Sequence, residues 1–326
     1  MTQLYPLRFE PLYRRYLWGG RRLQSLLGKS LGDGDDYAES WEVVDHGADQ
    51  SVVAAGPLQG WTLAEIIAAH GRELFGRHFD VLATRRFPLL FKFLDCQRTL
   101  SVQVHPDDDS AARLDPSDLG KTEAWVILHA EPGSLVYAGL KRGFDRAALE
   151  REVQRGTTEL CLHRFEPRVG DCVFIPAGVV HALGAGLVVA EIQQSSDTTF
   201  RLFDWNRVGP EGRPRQLHVD AALDAINYAA GPVSAAPPLR TDLPHVQRLV
   251  ACDKFILDRW QLADPRPIGG DDRFRIVVVI GGEIGIEHDG AAAPLRRGEV
   301  MLFPAATPAL TLTPRDSAEL LVAYLP

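Results

Sequence analysis

The stretch "GDCVFIPAGVVH" (residues 170–181) places a short apolar segment between two glycines and ends in a histidine. Gly170, Pro176 and Gly178 are residue types that mark tight turns. A run of four mostly apolar residues bounded by turn residues is typical of a buried β-strand. The stretch therefore predicts a strand and a turn that bring the imidazole of His181 to the mouth of a β-barrel.

A second stretch, "GEVMLFPAATPA" (residues 298–309), has a similar pattern near the end of the chain. Gly298 and Pro304 repeat the spacing of the first glycine and proline, and Ala309 stands where the first copy has His181. We interpret the two stretches as copies of one structural unit, of which only the first keeps its imidazole. The alternative is a coincidence between two β-hairpins with similar turns.

The rest of the chain is dominated by short β-branched and aromatic runs separated by Gly, Pro and Asp. This pattern of short runs and turn residues favours a mainly β protein built from barrels or sandwiches over a parallel βαβ sheet. Amphipathic helix patterns are few and cover residues 62–74, 145–153 and 218–227, the first of them with a Thr62/Glu65 capping box. Residues 228–244 are rich in Pro, Ala and Gly, and we expect them to connect two domains.

Composition excludes several classes of function. With 326 residues, of which 45% are hydrophobic, the chain can bury a large core in roughly two domains. A net charge of −8 argues against nucleic acid or an anionic membrane as a partner. No apolar run approaches the roughly 18 residues of a membrane helix, and we expect a cytoplasmic protein. The four cysteines lack CxxC spacing and are expected to be buried core residues without disulfides.

The segment "TLSVQVHPDD" (residues 99–108) combines an apolar and a polar face. Val102 and Val104 share one parity, whereas Ser101, Gln103 and His105 share the other. Because successive strand side chains point to opposite faces, a strand here would align a hydroxyl, an amide and an imidazole.

The segment "GKTEAW" (residues 120–125) shows the same anomaly, since Lys121 and Glu123 share a parity. If both segments face one barrel interior, Gln103, His105 and Glu123 can converge with the histidine of the Gly-rich turn. Two imidazoles, a carboxylate and an amide oxygen suit a divalent transition metal. The alternatives are a hydrogen-bonded structural role for His105 and a solvated ion pair between Lys121 and Glu123.

Several separated motifs resemble one known family. The pattern from Gly170 to His181 resembles the cupin signature. Together with "LWGG", "AESWEV", "SVQVHPDD", "GKTEAW" and "EIQQSSDTTFRLFDW", it resembles type I mannose-6-phosphate isomerase in its short bacterial form. The resemblance is strong over residues 6–228 and looser beyond them. It implies two cupin domains of the jelly-roll-like β-barrel type, a catalytic one over residues 1–240 and a second over residues 241–326 without a metal site.

The resemblance also implies a set of site residues. One zinc ion per chain would be bound by Gln103, His105, Glu123 and His181. The sugar phosphate would be bound with the help of Lys92, Ser101, Lys121 and Arg201. A lysine inside the apolar run "FPLLFKFL" is costly unless it is paired or functional, so an ion pair is the alternative for Lys92.

The implied activity is the interconversion of mannose 6-phosphate and fructose 6-phosphate, in which a proton moves between C1 and C2 through an enediol or enediolate. Such a reaction needs a Lewis acid and a positioned base. We expect Glu191 to be the base, with Asp197 as its competitor, and Lys121 and Arg201 to assist catalysis.

Two other functions compete with this one. Two histidines and a carboxylate also form the metal site of non-haem iron oxygenases, although such enzymes have no use for a phosphate-binding set of cations. A sugar-phosphate-binding bicupin that has lost turnover is the non-enzymatic alternative.

Overall fold

The computed structural model describes residues 4–82, 86–208 and 212–326. In chain order its strands are β1 (Phe9–Glu10), β2 (Leu12–Gly20), β3 (Tyr37–Val43), β4 (Asp45–His46), β5 (Asp49–Gln50), β6 (Val52–Val53), β7 (Leu89–Cys96), β8 (Val102–Val104), β9 (Glu123–Ala130), β10 (Val136–Leu140), β11 (Leu162–Phe165), β12 (Cys172–Ile175), β13 (His181–Leu183), β14 (Leu187–Gln194), β15 (Phe200–Phe203), β16 (Leu239–Arg240), β17 (Val246–Ala251), β18 (Ile256–Leu262), β19 (Arg266–Ile268), β20 (Arg275–Ile286), β21 (Leu295–Arg296), β22 (Val300–Phe303) and β23 (Leu310–Tyr324).

The helices are α1 (Arg22–Leu27), α2 (Leu63–Phe75), α3 (Phe79–Leu82), α4 (Asp108–Ala111), α5 (Arg146–Arg155) and α6 (Val219–Ala225), with 3₁₀ turns at Gly76–His78 and Thr158–Leu160. The three predicted helices correspond to α2, α5 and α6. The predicted capping box of α2 is confirmed, because the Thr62 hydroxyl accepts from the Glu65 amide at 3.2 Å and the Glu65 carboxylate accepts from the Thr62 amide at 2.8 Å. The three helices that were not predicted have six residues or fewer, too short for a helical period to stand out.

Two antiparallel sheets form the part of the fold that carries the predicted motifs. One has six strands in the order β12-β9-β14-β7-β3-β2, and the other has five in the order β11-β10-β13-β8-β15. Their inner faces share a hydrophobic cluster that includes Trp125 and Leu94 from the first sheet and Val136 and Leu183 from the second. The mainly β architecture is confirmed, although in the described residues the strand pairing gives two facing sheets and not a closed barrel.

The six-stranded sheet is buried on both faces, which explains the apolar run around Lys92. Phe91 and Phe93 of β7 pack into the core shared with the C-terminal strands, whereas Lys92 and Leu94 point to the other face, between the two sheets. The alternation of side chains along a strand produces this division. The outer face of the five-stranded sheet is covered by α5 and α6 through residues such as Leu149 and Leu223.

A third sheet contains only strands from β16 to β23. Its long strands β20 and β23 pair with each other, and one face of the sheet forms an apolar cluster that includes Val277 and Leu320. The opposite face packs on the six-stranded sheet and α2, where the Phe87 and Phe274 rings lie 4.9 Å apart. The third sheet includes β16 (Leu239–Arg240), so the boundary between residues 1–240 and 241–326 stays a prediction.

The predicted repeat has a structural counterpart. Gly170 and Gly298 have φ angles of 91° and 86°, and β12 and β22 each begin two residues later. The amide of each glycine donates at 2.8 Å to a strand carbonyl, of Ile127 and of Val279 respectively. These shared features agree with the interpretation of the two stretches as copies of one structural unit.

Cys96, Cys161 and Cys172 are buried and Cys252 is partly buried, and all four are free thiols. Over the described residues, no helix combines the length and the apolar character needed to span a membrane.

Candidate active site

A pocket of about 260 Å³ opens between the six-stranded and five-stranded sheets. The following residues predicted from the sequence line it: Lys92, Ser101, Gln103, Lys121, His181, Glu191, Asp197 and Arg201. The two others, His105 and Glu123, are each 1% exposed and lie against His181 at the base of the pocket. The structure therefore brings all ten predicted side chains to one place.

His105, Glu123 and His181 form a compact group of potential metal ligands, which we call the metal group. The Nε2 atom of His105 lies 3.5 Å from Glu123 Oε2, and the Nε2 atom of His181 lies 3.3 Å from Glu123 Oε1. Among the residues that the structure describes, this is the one group of three such side chains whose donor atoms all lie within 4.8 Å of one another. The group forms where the two sheets face each other, because His181 begins β13 of the five-stranded sheet, Glu123 begins β9 of the six-stranded sheet and His105 directly follows β8.

Backbone carbonyls orient both imidazoles. The Nδ1 atom of His105 lies 2.9 Å from the Thr198 carbonyl oxygen, and that of His181 lies 2.8 Å from the Val179 carbonyl oxygen. Each Nδ1 must carry a proton to donate, which leaves the Nε2 lone pair directed at the group. Burial lowers the pKa of His105 well below its usual range and that of His181 to about 4, so both rings are neutral at pH 7.

The Glu123 carboxylate has unmet hydrogen-bonding capacity. Both of its oxygens are buried and accept no hydrogen bond of good geometry, although Lys121 Nζ lies 3.0 Å away. Burial, together with the charge of Glu191, raises the pKa of Glu123. Buried carboxylates normally also accept hydrogen bonds, so these oxygens, which have only the Lys121 ion pair, are open to a further cation. The orphaned oxygens between two neutral imidazoles fit a divalent transition ion.

Gln103 is adjacent to this group, but its amide does not present oxygen to it. Gln103 pairs with His181 across β8 and β13, and its Nε2 atom lies 3.3 Å from His181 Nε2. The Oε1 atom instead accepts from the Ser101 hydroxyl at 3.4 Å. A half-turn of the amide would exchange the two atoms, giving Oε1 to the metal group and an N–H to Ser101.

Two lysines and two carboxylates lie next to the metal group. Lys92 Nζ is 3.4 Å from both Glu39 Oε2 and Glu191 Oε1, and Lys121 Nζ is 3.8 Å from Glu191 Oε1. Burial acts to lower the pKa of Lys92, but the carboxylates of Glu191 and Glu39 prevail and raise it. The ion pair considered as an alternative for Lys92 therefore exists, and one of its partners is the predicted base.

Glu191 is held as an ionised carboxylate inside the pocket. It is 2% exposed, and its Oε2 atom accepts from Trp125 Nε1 at 3.1 Å. Burial acts to raise its pKa, but the charges of Lys92 and Lys121 outweigh it and lower the pKa. Asp197, the competing base, is exposed at the edge of the pocket.

Arginines border the pocket beside Ser101. The Nε atom of Arg201 donates to the Ser101 hydroxyl at 3.3 Å, and its Nη1 atom donates to the Gln216 carbonyl at 2.9 Å. Arg215 also lines the pocket, and its Nε and Nη2 atoms donate to Asp204 at 2.8 and 2.6 Å. Burial, and then the charge of Arg215, lower the pKa of Arg201. Two neighbouring guanidinium groups beside a hydroxyl can bind an anion.

Several residues that line the pocket were not predicted from the sequence. Glu39 lies in "AESWEV", where a carboxylate on a fully buried strand, on the same face as Trp41, was the available signal. Arg215 lies in an irregular segment before α6, where no period marks it.

Two family models match the chain. A family model described as the catalytic domain of type I phosphomannose isomerase matches residues 7–122, and one described as the cupin domain of mannose-6-phosphate isomerase matches residues 245–325. The cupin fold predicted from the sequence is thereby confirmed.

Curated relatives match over nearly their full lengths. The chain is 33% identical to mannose-6-phosphate isomerase ManA of Bacillus subtilis, over 92% of this chain and 93% of the relative. It is 32% identical to a mannose-6-phosphate isomerase of Streptococcus mutans, over 92% of each chain. A crystal structure of mannose 6-phosphate isomerase from Bacillus subtilis superposes with a TM-score of 0.88, at 29% identity, over 99% of this chain and 100% of that one.

Proposed function

The chain belongs to the type I mannose-6-phosphate isomerase family, and we propose that it interconverts mannose 6-phosphate and fructose 6-phosphate in the pocket between the two sheets. The observation that carries this proposal is the Glu123 carboxylate, whose unmet oxygens lie between two neutral imidazoles and close to the ionised Glu191. A cation site beside an ionised carboxylate is the pairing that an aldose–ketose isomerisation needs.

We propose that the metal is one zinc ion per chain. His105, Glu123 and His181 would hold it, with Gln103 as a fourth ligand once its amide has turned. When bound, the ion would supply a positive charge that stabilises the oxyanion developing on the sugar. Neutral imidazole and carboxylate donors suit zinc, which also brings no redox chemistry of its own. We also propose a cytoplasmic location, as expected from the composition.

The chain's own residues would move the proton. Glu191 would take it from one sugar carbon and return it to the other, because an ionised carboxylate that is sheltered from water can accept a proton from carbon. Lys92 would keep Glu191 ionised through their 3.4 Å ion pair. Lys121, between Glu123 and Glu191, would donate a hydrogen bond to a sugar oxygen.

The phosphate would occupy the arginine-bordered end of the pocket. Ser101, Arg201 and Arg215 offer a hydroxyl and two guanidinium groups there. The family resemblance implied that Lys92 helps to bind the phosphate. Because Lys92 already faces two carboxylates, we propose instead that it keeps Glu191 ionised.

The Arg215→Gln variant should raise KM for mannose 6-phosphate with little change in kcat. Removing one charged hydrogen-bond donor to the phosphate should cost about 1.5–3 kcal/mol, or roughly 10- to 100-fold in KM. The measurement is steady-state kinetics together with competitive inhibition by inorganic phosphate, which should weaken in parallel. Arg213→Gln, two residues away and exposed, is the matched control. An unchanged KM would remove Arg215 from the phosphate site.

The activity itself is tested by a coupled isomerase assay on metal-free protein before and after addition of zinc. We expect conversion of mannose 6-phosphate only when metal is present. Iron content with oxygen uptake and no isomerisation would instead indicate an oxygenase. Binding of mannose 6-phosphate in calorimetry without conversion by the zinc-loaded protein would indicate a binding protein.

A further inference from the structure

We propose that Asp118 is a positioning residue for the metal site, which it affects by fixing the segment that orients His105. The inference rests on the proposed metal site, but it concerns a side chain outside the pocket. Asp118 lies in the irregular connection between α4 and β9 and is absent from the pocket lining. No motif in the sequence marks it.

One oxygen of Asp118 holds the segment that follows β14. Its Oδ2 atom accepts from the Thr198 hydroxyl at 2.7 Å, from the Ser196 hydroxyl at 2.9 Å and from the Asp197 amide at 3.3 Å. Three donors from three successive residues on one oxygen fix both the position and the direction of this short segment. The carbonyl of Thr198, in turn, lies 2.9 Å from Nδ1 of His105.

The other oxygen of Asp118 is fixed by the surrounding fold. Its Oδ1 atom accepts from the Leu119 amide at 2.8 Å and from the Arg86 guanidinium, and it lies 3.4 Å from Nε2 of His46. The Asp118 side chain is only 10% exposed. Burial acts to raise its pKa, but the hydrogen bonds from His46, Thr198 and Arg86 hold the pKa well below its usual range, so Asp118 stays ionised.

The connection that contains Asp118 also leads to Glu123, a second member of the metal group. Five residues after Asp118 the chain reaches Glu123, and the Lys121 amide donates at 3.0 Å to the carbonyl of Pro106, next to His105. Asp118 therefore joins the segment that leads into Glu123 to the segment that orients His105. Outer partners of this kind hold a ligand ring in the orientation that its metal requires.

The test compares Asp118→Asn with the parent in zinc affinity, measured by competition with a chelator. We expect a weaker affinity by a factor of up to about 10, because Asp118 acts on His105 through Thr198, whereas losing a direct outer partner of a metal ligand costs about 10- to 100-fold. Cobalt substituted for zinc should give a changed visible spectrum in the variant, and excess zinc should restore most of kcat. A merely structural role would lower thermal stability without changing the spectrum or responding to zinc.

Two further variants complete the test. Asp109→Asn, an exposed carboxylate on α4, should match the parent in zinc affinity. Thr198→Val removes a single hydroxyl and should weaken zinc affinity by a smaller factor. If Asp118→Asn fails to fold, Thr198→Val is the variant that tests the inference. Parental zinc affinity and cobalt spectrum in Asp118→Asn, or in Thr198→Val where the first does not fold, would overturn the inference and leave the isomerase proposal intact. A parent that binds no zinc would overturn both.

Discussion

Replacing Glu123 by Gln is expected to abolish both metal binding and turnover without destabilising the metal-free protein. The substitution keeps the shape of the side chain and removes the charge that lies between His105 and His181. Loss of a direct ligand should exceed the roughly 100-fold upper cost of losing an outer partner, so turnover should fall by more than about 100-fold.

The expected stability follows from the charges around the pocket base. Three carboxylates, Glu39, Glu123 and Glu191, face two lysines, Lys92 and Lys121, at distances of 3.0–3.8 Å. Without a metal and with Glu123 ionised, these five groups carry one excess negative charge, and burial together with the charge of Glu191 raises the pKa of Glu123 to about 7. Removing that carboxylate balances the set. Lys121 loses its 3.0 Å contact with Glu123 but keeps Glu191 at 3.8 Å, so no lysine is left unpaired and the free energy of unfolding of the metal-free variant should be within about 1 kcal/mol of the parent or above it.

Metal content by elemental analysis, the isomerase assay and denaturant unfolding of the metal-free proteins measure the three effects. Glu39→Gln is the matched control, because Glu39 lines the same pocket and pairs with Lys92 but lies outside the metal group. That control should retain one zinc ion per chain. A Glu123→Gln variant that binds zinc with parental affinity would exclude Glu123 as a ligand.

Side-chain alternation is the part of the site that the sequence could predict. Lys92 stands within an apolar run because both faces of β7 are buried. One face packs into the shared core, and the other, which carries Lys92, faces the pocket. The parity of Ser101 and Gln103 likewise places both in the pocket lining. Strand period and residue chemistry were sufficient for Lys92 on the eight-residue strand β7, and Ser101, which directly precedes the three-residue strand β8, keeps the parity of Gln103.

The contacts made by irregular segments could not be predicted from the sequence. Arg215 and Asp118 lie outside strands and helices, so no period fixes where their side chains point. Their roles depend on partners far away in sequence, such as Thr198, which is 80 residues from Asp118. The orientation of the Gln103 amide and the pairing of strands into two sheets are also tertiary outcomes, since neither follows from local pattern.

Replacing Glu191 by Gln should remove most turnover while leaving the zinc content unchanged. Glu191 is the buried, ionised carboxylate of the pocket, and it is held by Trp125 and Lys92 and not by the metal group. Positioned acid–base groups contribute typically about 100- to 10,000-fold, so kcat should fall by a factor in this range. KM should change little, because the proposed phosphate-binding side chains Ser101, Arg201 and Arg215 have other hydrogen-bond partners than Glu191.

Proton exchange separates the two candidate bases. In deuterated water, a base that shuttles the proton exchanges part of the C2 hydrogen of the sugar with solvent, and Glu191→Gln should suppress this exchange together with turnover. Asp197→Asn is the matched control, since Asp197 is an exposed carboxylate at the edge of the same pocket. The burial of Glu191 beside Lys92 and Lys121 favours it, because it is sheltered from water yet kept ionised. If Asp197→Asn loses exchange and Glu191→Gln keeps it, the proton must be carried at the edge of the pocket, and the Lys92–Glu191 pair would serve only to balance charge.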